Sequence, residues 1–400
     1  MQAQQDLLLL VHRIPYPPNK GDKIRSYHIL KHLSQRYRVH LATFIDDADD
    51  WQHVPHVQQL CASSHFANLN PKLARVRSLG ALLGRRSLSL DYYRDSKLRA
   101  WVDQTVRANK IDRIVVFSSA MAQYAADYPQ AHRVVDFVDV DSEKWREYAE
   151  KKPWPASLLF RYEATQLLRY EREVAASSDA ALFVSAPEAA LFTRLAPEST
   201  SRIGYFNNGV DTAYFSPDHA YASPFADGER AIVFTGAMDY WPNIDAVEWF
   251  TAQVLPKVQQ AVPGLRFYIV GARPSPAVQA LAKANSVIVT GTVPDVRPYL
   301  AHAELSVAPL RVARGIQNKV LEAMAMAKAC IVSPQALEGI DATPGSELLL
   351  AESPDDFAQA VITQLQQPDG ARAVGAAARA RVLQRYSWQT NLASIEAKLC

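Results

Sequence analysis

The sequence predicts an α/β protein of two Rossmann-like domains, each with a parallel sheet, facing one another across a cleft. Three observations predict it. At 400 residues the chain exceeds what one ordinary core serves, so two domains are expected. Strand-length apolar runs alternate with helical segments from Leu7 onward, the order that builds a parallel sheet covered by helices. After a polar stretch the same alternation restarts at Ala231.

Composition narrows the class. A hydrophobic fraction of 48% and a charged fraction of 21% describe an ordinary folded protein. The formal charge of +2 gives no nucleic-acid footprint. Cys61, Cys330 and Cys400 are too far apart for a disulfide framework or a metal cluster, which suits a reducing compartment. The opening MQAQQDLLLLVHRIPYPP has too short an apolar run for a membrane span, and Asp6 stands where a basic leader would be expected. The expected location is therefore cytoplasmic, with any membrane contact peripheral, on the inner face.

Leu7–Val11 reads as the first strand, and Pro15, Pro17 and Pro18 set a stiff loop after it. A helix follows from about Lys23 to Gln35, and Val39–Phe44 is the second strand. Gly21 at the helix start lets a phosphate or sugar approach, with Lys20, Lys23 and Arg25 near it, although the pattern is not GxGxxG. The stretch RVRSLGALLGRR, Arg75–Arg86, is basic and apolar. Its leucines either pack internally or lie on an anionic membrane surface, and Gly80 and Gly84 weaken it as a helix. Ile111–Phe117 is a buried strand ending in Ser118–Met121, a candidate ligand loop. Arg133–Val138 continues the sheet into Asp139, Asp141, Ser142, Glu143 and Lys144, which suit sugar hydroxyls, a cation, or simply a turn and an N-cap. A long helix over Ser157–Ser178, strands at Ala180–Val184 and Ile203–Phe206, and a turn at Asn207–Gly209 complete the first domain, residues 1–217.

Residues 218–230 read as a hinge, polar and alanine-bearing. The second domain, 231–385, opens with the strand Ile232–Phe234 ending at Gly236. Leu265–Val270 is its next strand, followed by Gly271 and Arg273, a glycine for close approach and a positive fork. Ser286–Val289 and Leu305–Leu310 follow, and Glu347–Leu350 is the last strand. A final helix in 386–400 is expected to pack back on the first domain.

Leu305–Ser333, LSVAPLRVARGIQNKVLEAMAMAKACIVS, organises the chain: strand, basic glycine-bearing loop, helix, strand. Loops at the carboxyl ends of such strands, with the first helical turn, are where open sheets bind ligands. Unpaired amides there favour phosphate. Lys319 and Glu322 lie three apart and share one side of the helix; Val320, Ala323, Met324 and Ala327 form the side that packs. Such a pair is commonly just a weak exposed ion pair. Arg311, Arg314 and Gly315 in the preceding loop shift the balance toward a molecule with a phosphate end and a hydroxyl-bearing end.

Five segments taken together resemble the retaining nucleotide-sugar glycosyltransferases of the GT-B fold, family 4. They are HRIPYPPNKGDKIRSYHILKHL, NNGVDTAYFSP, GAMDYWPNIDAVEWF, GTVPDVRPYLAHAELSVAPL and GIQNKVLEAMAMAKACIVS, and their order spans almost the whole chain. PPNKGDKIRSYHILKHL and FVDVDSEKWREYA further resemble sugar transferases of exopolysaccharide, PEP-CTERM and exosortase gene clusters. The resemblance implies a donor held by the second domain, with Glu322 on the nucleotide ribose. Lys319 and the amides of Gly315 and Ile316 would meet the diphosphate or ribose. Gly236 would let the backbone approach the diphosphate, and Gly21 would face it from the first domain. The acceptor would sit near the Ser118–Met121 and Asp139–Lys144 loops.

Three departures stand out from that pattern. Arg314 replaces the first of two glutamates; the usual arginine and lysine are absent from Gly236–Asn243; and Ser118 and Ser119 replace a histidine. Arg273, Arg311, Arg314 or Lys319 would then neutralise the leaving diphosphate, with Lys319, Arg314 and Glu322 as the catalytic set. The resemblance implies front-face transfer, the leaving phosphate taking the acceptor proton, with no cofactor and no metal. The donor is expected to be a UDP-sugar, with a GDP-sugar the alternative, and the acceptor a polyprenyl-linked saccharide. Two other readings remain, a non-catalytic nucleotide-sugar or glycan-binding protein and a GT-B-like epimerase. Transfer of sugar to an added acceptor, with release of free nucleotide, separates both from a transferase.

Overall fold

The computed structural model describes residues 4–18, 20–151, 153–313 and 315–399, with the backbone alone at 151 and 156. It divides into two compact units, Met1–Asn207 with Asn391–Cys400, and Asn208–Thr390.

The first unit contains β1 (Asp6–Val11), β2 (Arg38–Ile45), β3 (Ser63–Asn68), β4 (Arg113–Phe117), β5 (His132–Val138), β6 (Ala180–Phe183) and β7 (Ile203–Tyr205). They form one sheet in the order β3-β2-β1-β4-β5-β6-β7, every pairing parallel. A central parallel strand is covered on both faces, so Leu7–Leu10 read as an unbroken apolar run and all four are fully buried. The helix Gly21–Leu33 carries two buried cations, Lys23 and Arg25, whose side chains turn to carboxylates of the first unit. Lys23 Nζ is 2.7 Å from both Asp50 carboxylate oxygens, and Arg25 Nε is 2.7 Å from Asp136. Buried charges without partners are costly, so each cation is matched.

In the second unit, β8 (Ala231–Thr235), β9 (Arg266–Val270), β10 (Val287–Gly291), β11 (Leu305–Ala308), β12 (Cys330–Val332) and β13 (Leu349–Leu350) form a second parallel sheet. Its order is β10-β9-β8-β11-β12-β13. Both sheets reverse their strand order once, at β1/β4 and at β8/β11, and ligand crevices open at such points.

Several local readings change. Asp141–Lys151 is a helix of eleven residues, where the clustered charges left ligand contacts or a turn with an N-cap open. The basic stretch from Arg75 divides into the helix Pro71–Ser78 and a 3-10 turn, Leu79–Leu82. Residues 208–230 belong with the second unit: Val210 N–H donates to the Tyr386 carbonyl at 2.8 Å, and Phe225 is buried in that unit's core. Polarity suggested a linker there, but Tyr221 and Phe225 anchor the segment to the core. The chain returns to the first unit at Asn391, where Arg113 Nε donates to the Leu399 carbonyl at 3.1 Å.

Candidate functional site

In the second unit the loops after β8 and β9 are pressed together. A Cβ added at Gly271 would lie 1.6 Å from the Gly236 carbonyl oxygen, a backbone atom with nowhere to go. Gly271→Ala should therefore destabilise the protein by about 1–3 kcal/mol or more through overpacking. An unchanged urea midpoint would refute the tight contact. Gly236 itself is boxed in: its Cβ would fall 2.8 Å from Asn243 Nδ2 and 3.3 Å from Lys319 Nζ.

The helix Asn318–Ala325 buries Val320, Leu321, Ala323, Met324 and Ala325 against the sheet, so Lys319 and Glu322 share its other side. Lys319 Nζ donates to Asn243 Oδ1 and stands 4.6 Å from the Phe234 ring centre. Asn243 is fixed in turn, its Nδ2 donating to the Ala237 carbonyl at 2.8 Å. Both Lys319 and Glu322 keep some accessible surface, yet the surrounding protein strips most of their hydration. Burial pulls the Lys319 ammonium down to about 7, against the attraction of Glu322. Burial likewise pushes the Glu322 carboxyl up to about 7, against the attraction of Lys319. Among the described residues nothing hydrogen-bonds the Glu322 carboxylate.

Gly315 has φ +68°, a left-handed conformation that suits glycine, and its carbonyl accepts from Gln317 Nε2 at 3.0 Å. Ile316 packs on the core of the second unit. Among the described residues no side chain caps the helix at Gln317; Val320 and Leu321 N–H donate to the Gln317 carbonyl, which leaves the Asn318 and Lys319 amides without intrahelical partners. The structure thus brings Lys319 beside Gly236, with Glu322 one turn on and Gly315 and Ile316 in the loop leading in. Arg273 is not part of this contact set; it pairs with Asp239 through Nε at 2.5 Å. Arg311 pairs with Asp245. Both ion pairs are solvent-exposed and weak, so either cation can exchange partners for a phosphate. Arg314 lies outside the described residues. Gly21 opens the helix Gly21–Leu33, with open space where a side chain would project.

The first unit holds a cavity of about 840 Å³ at the ends of β1, β4 and β5. Its walls are aromatic and aliphatic, with Tyr92, Tyr93, Phe117, Phe137, Trp145 and Phe160 among them. Polar groups enter at one side: His12, Asp22, Asp139, Asp141 and Lys144. His12 stacks on Phe117 with ring centres 5.6 Å apart, and its Nε2 lies 3.5 Å from Asp22 Oδ2. Its Nδ1 is buried with no hydrogen-bond partner among the described residues. Burial alone would raise the Asp22 carboxyl, but hydrogen bonding from His12 and the charges of His12 and Arg13 outweigh it. Asp22 is thereby held well below the usual carboxylate range. Lys144 Nζ joins Asp139 at 2.6 Å and Asp141 at 3.2 Å.

Sequence reading reached Ser118, Ser119, Asp139, Asp141 and Lys144 but passed over His12, Asp22 and Glu163. His12 directly follows β1, and a histidine at a central strand's carboxyl end was the available signal. Glu163 had none. It sits mid-helix in Ala156–Ser177, and its carboxylate accepts from Ser87 Oγ, Leu88 N–H, Ser89 N–H and Ser89 Oγ. That closes a wall of the cavity across more than seventy residues of sequence.

Residues 229–367 match the family model described as Glycosyl transferases group 1. No curated protein matches the sequence. Solved structures match along the whole chain. Sucrose-phosphate synthase from Thermosynechococcus elongatus is 16% identical with a TM-score of 0.68, covering 98% of each chain. Anabaena HepE in complex with UDP and glucose is 16% identical with a TM-score of 0.67, covering 99% of each. A glycosyltransferase from Rickettsia africae is 12% identical with a TM-score of 0.66, covering 99% of this chain and 98% of that one. The family match lies within the second unit, and the likeness to solved structures, at 12–16% identity, is one of fold: two Rossmann-like domains, each with a parallel sheet.

Proposed function

We propose that the protein transfers a sugar, with retention at the anomeric carbon, from a nucleoside diphosphate sugar to a lipid-linked saccharide. The observation that carries this reading is the second-unit cluster at the β8/β11 reversal. There a half-buried lysine, a carboxylate that no described residue hydrogen-bonds, and the first helix amides, Asn318 and Lys319, meet a glycine-lined loop. A diphosphate suits Lys319 and the amides around Gly315 and Ile316, and ribose hydroxyls suit Glu322. As the anomeric carbon–oxygen bond breaks, charge grows on the departing phosphate, and fixed donors stabilise it without reorganising. Arg273 and Arg314 are the further cations proposed for this task. The acceptor hydroxyl bonds to the anomeric carbon, and its proton passes to the leaving phosphate.

UDP is the proposed nucleotide, supported by HepE, whose structure holds UDP and glucose; GDP is the alternative. The acceptor is assigned to the first-unit cavity, where an aromatic wall suits sugar faces and His12, Asp139 and Asp141 suit hydroxyls. A polyprenyl-linked saccharide of exopolysaccharide synthesis is proposed from the resemblance of PPNKGDKIRSYHILKHL.

The test is a panel of UDP- and GDP-sugars with a purified polyprenyl diphosphate saccharide, reading product mass and the anomeric configuration by NMR. Product of retained configuration with release of free nucleotide is expected. No transfer from any donor, or epimerised donor without acceptor product, would overturn the reading. Glu322→Ala should raise the donor KM about tenfold or more, because a charge-assisted contact to ribose is lost. Wild-type donor kinetics in that variant would remove the ribose assignment.

A further inference from the structure

The first unit carries a surface that sugar transfer by itself does not explain. Between Asp50 and Asp91 the chain has no acidic residue but contains Lys72, Arg75, Arg77, Arg85 and Arg86. Residues 151–162, KKPWPASLLFRY, likewise contain no acid. Large apolar side chains in both stretches face solvent. Leu83 is 95% exposed, Leu73 and Val76 69% each, Trp154 77% and Leu158 55%. Single exposed apolar residues are ordinary, but five large ones in two adjoining stretches mark an interaction surface.

The two stretches adjoin. Tyr162 Oη donates to the Arg86 carbonyl at 3.2 Å and to the Ala81 carbonyl at 3.4 Å, and Glu163 binds the turn at Ser87–Ser89. Their inner sides also line the cavity, through Arg75, Ser78 and Leu79 on one part and Leu159, Phe160 and Glu163 on the other. Arg86 is paired with Asp91, but the remaining charges of the two stretches are cations, and outward aliphatic and indole groups among them are the chemistry of an anionic lipid surface. A symmetric second copy would set this basic face against itself, which like charges oppose. Among the described residues no helix is long and apolar enough to cross a membrane, so contact through this face would be interfacial.

We propose that the Leu73–Arg86 and Trp154–Arg161 segments together dock the first unit on an anionic bilayer, and that the acceptor enters the cavity from that face. The second half rests on the acceptor reading above; the first does not. Leu73, Val76, Leu83, Trp154 and Leu158 enter the acyl boundary while Lys72, Arg85 and Arg161 meet phosphate head groups; Arg77 is held by the Tyr92 carbonyl and Arg86 by Asp91. An acceptor held by its lipid then presents its saccharide to the polar end of the cavity, at His12 and Asp139.

Flotation of the full-length protein with phosphatidylcholine vesicles, with and without phosphatidylglycerol, tests the docking. Wild type should float with the anionic vesicles and be released by high salt. Val76→Asp/Leu83→Asp, both side chains exposed, should lose binding about tenfold or more with an unchanged melting temperature. Failure of wild type to float, or equal flotation of the double variant, overturns the proposal. So does light scattering that shows a dimer in wild type and a monomer in the variant, because the face would then join two copies. Transfer assays separate the two readings. The double variant should match wild type on a short-chain, water-soluble acceptor and fall about tenfold on the long-chain acceptor in vesicles. Equal rates on both remove the entry route. Absence of transfer by wild type to either acceptor fails the functional reading and leaves flotation to judge the docking.

Discussion

Lys319→Ala is expected to lower kcat/KM for sugar transfer by about 10²–10³-fold, the usual cost of removing one fixed donor from a developing anion. The side chain's setting makes the loss this large. Its ammonium is held by Asn243 beside Gly236 and over the Phe234 ring, so it needs no rearrangement to meet a diphosphate. Dense surroundings weaken competing water and strengthen the ion–phosphate contact. Lys319→Arg should not restore activity, because a planar guanidinium does not fit a pocket closed by Asn243 and a glycine backbone. Donor affinity and turnover both at wild-type level in Lys319→Ala would remove the lysine from the mechanism.

The same pair sets a pH dependence whose sign follows from the two shifts. Burial brings the Lys319 ammonium down to about 7, so raising pH above neutrality empties it of the charge a diphosphate needs. Binding must then take up a proton, and affinity falls as pH rises. Burial brings the Glu322 carboxyl up to about 7, so lowering pH below neutrality protonates the group proposed to accept ribose hydroxyls. Affinity falls again. UDP binding should therefore peak near neutrality, with both limbs belonging to the coupled pair. Calorimetry from about pH 5.5 to about pH 9 reads this directly. Lys319→Met should flatten the alkaline limb and Glu322→Gln the acid one; two limbs unchanged by either substitution would refute the coupling.

How much of this was legible beforehand depended on the range of each interaction. Strands such as Leu7–Val11 and Ala231–Thr235 announce themselves because a parallel strand buried on both faces must be apolar throughout. The helix carrying Lys319 and Glu322 was legible for the same local reason, its three-to-four spacing sorting packed from unpacked positions. Burial of that pair was not, since spacing alone equally describes a surface ion pair. Lys23 and Arg25 show the opposite failure. Local context placed them near a candidate phosphate or sugar site at Gly21, but Asp50 and Asp136, 27 and 111 residues away, claim them. Glu163 closing the turn at Ser87–Ser89 is likewise a partnership that only the folded chain reveals.

Arg25→Met should destabilise the first unit by about 3–5 kcal/mol, the cost of leaving a buried carboxylate without its partner. Arg25 is fully buried, with Nε 2.7 Å and Nη2 3.1 Å from the two Asp136 oxygens. Burial already raises the Asp136 carboxyl, and Arg25 is the main influence holding it down. Its removal leaves that carboxyl to take up a proton or lose native packing. The guanidinium also donates to the Phe206 carbonyl at 3.1 Å and stacks 3.5 Å from the Phe206 ring centre. The first helix is thereby tied to the residue just before the chain leaves the unit after Asn207. Replacing both partners, Arg25→Met with Asp136→Leu, should recover most of the loss, because an apolar pair of similar volume carries no desolvation cost. Urea unfolding of the two single variants and the double variant forms the cycle. A single-variant loss below about 1 kcal/mol would mean that water reaches the pair and that packing, not charge, holds the first helix to the sheet.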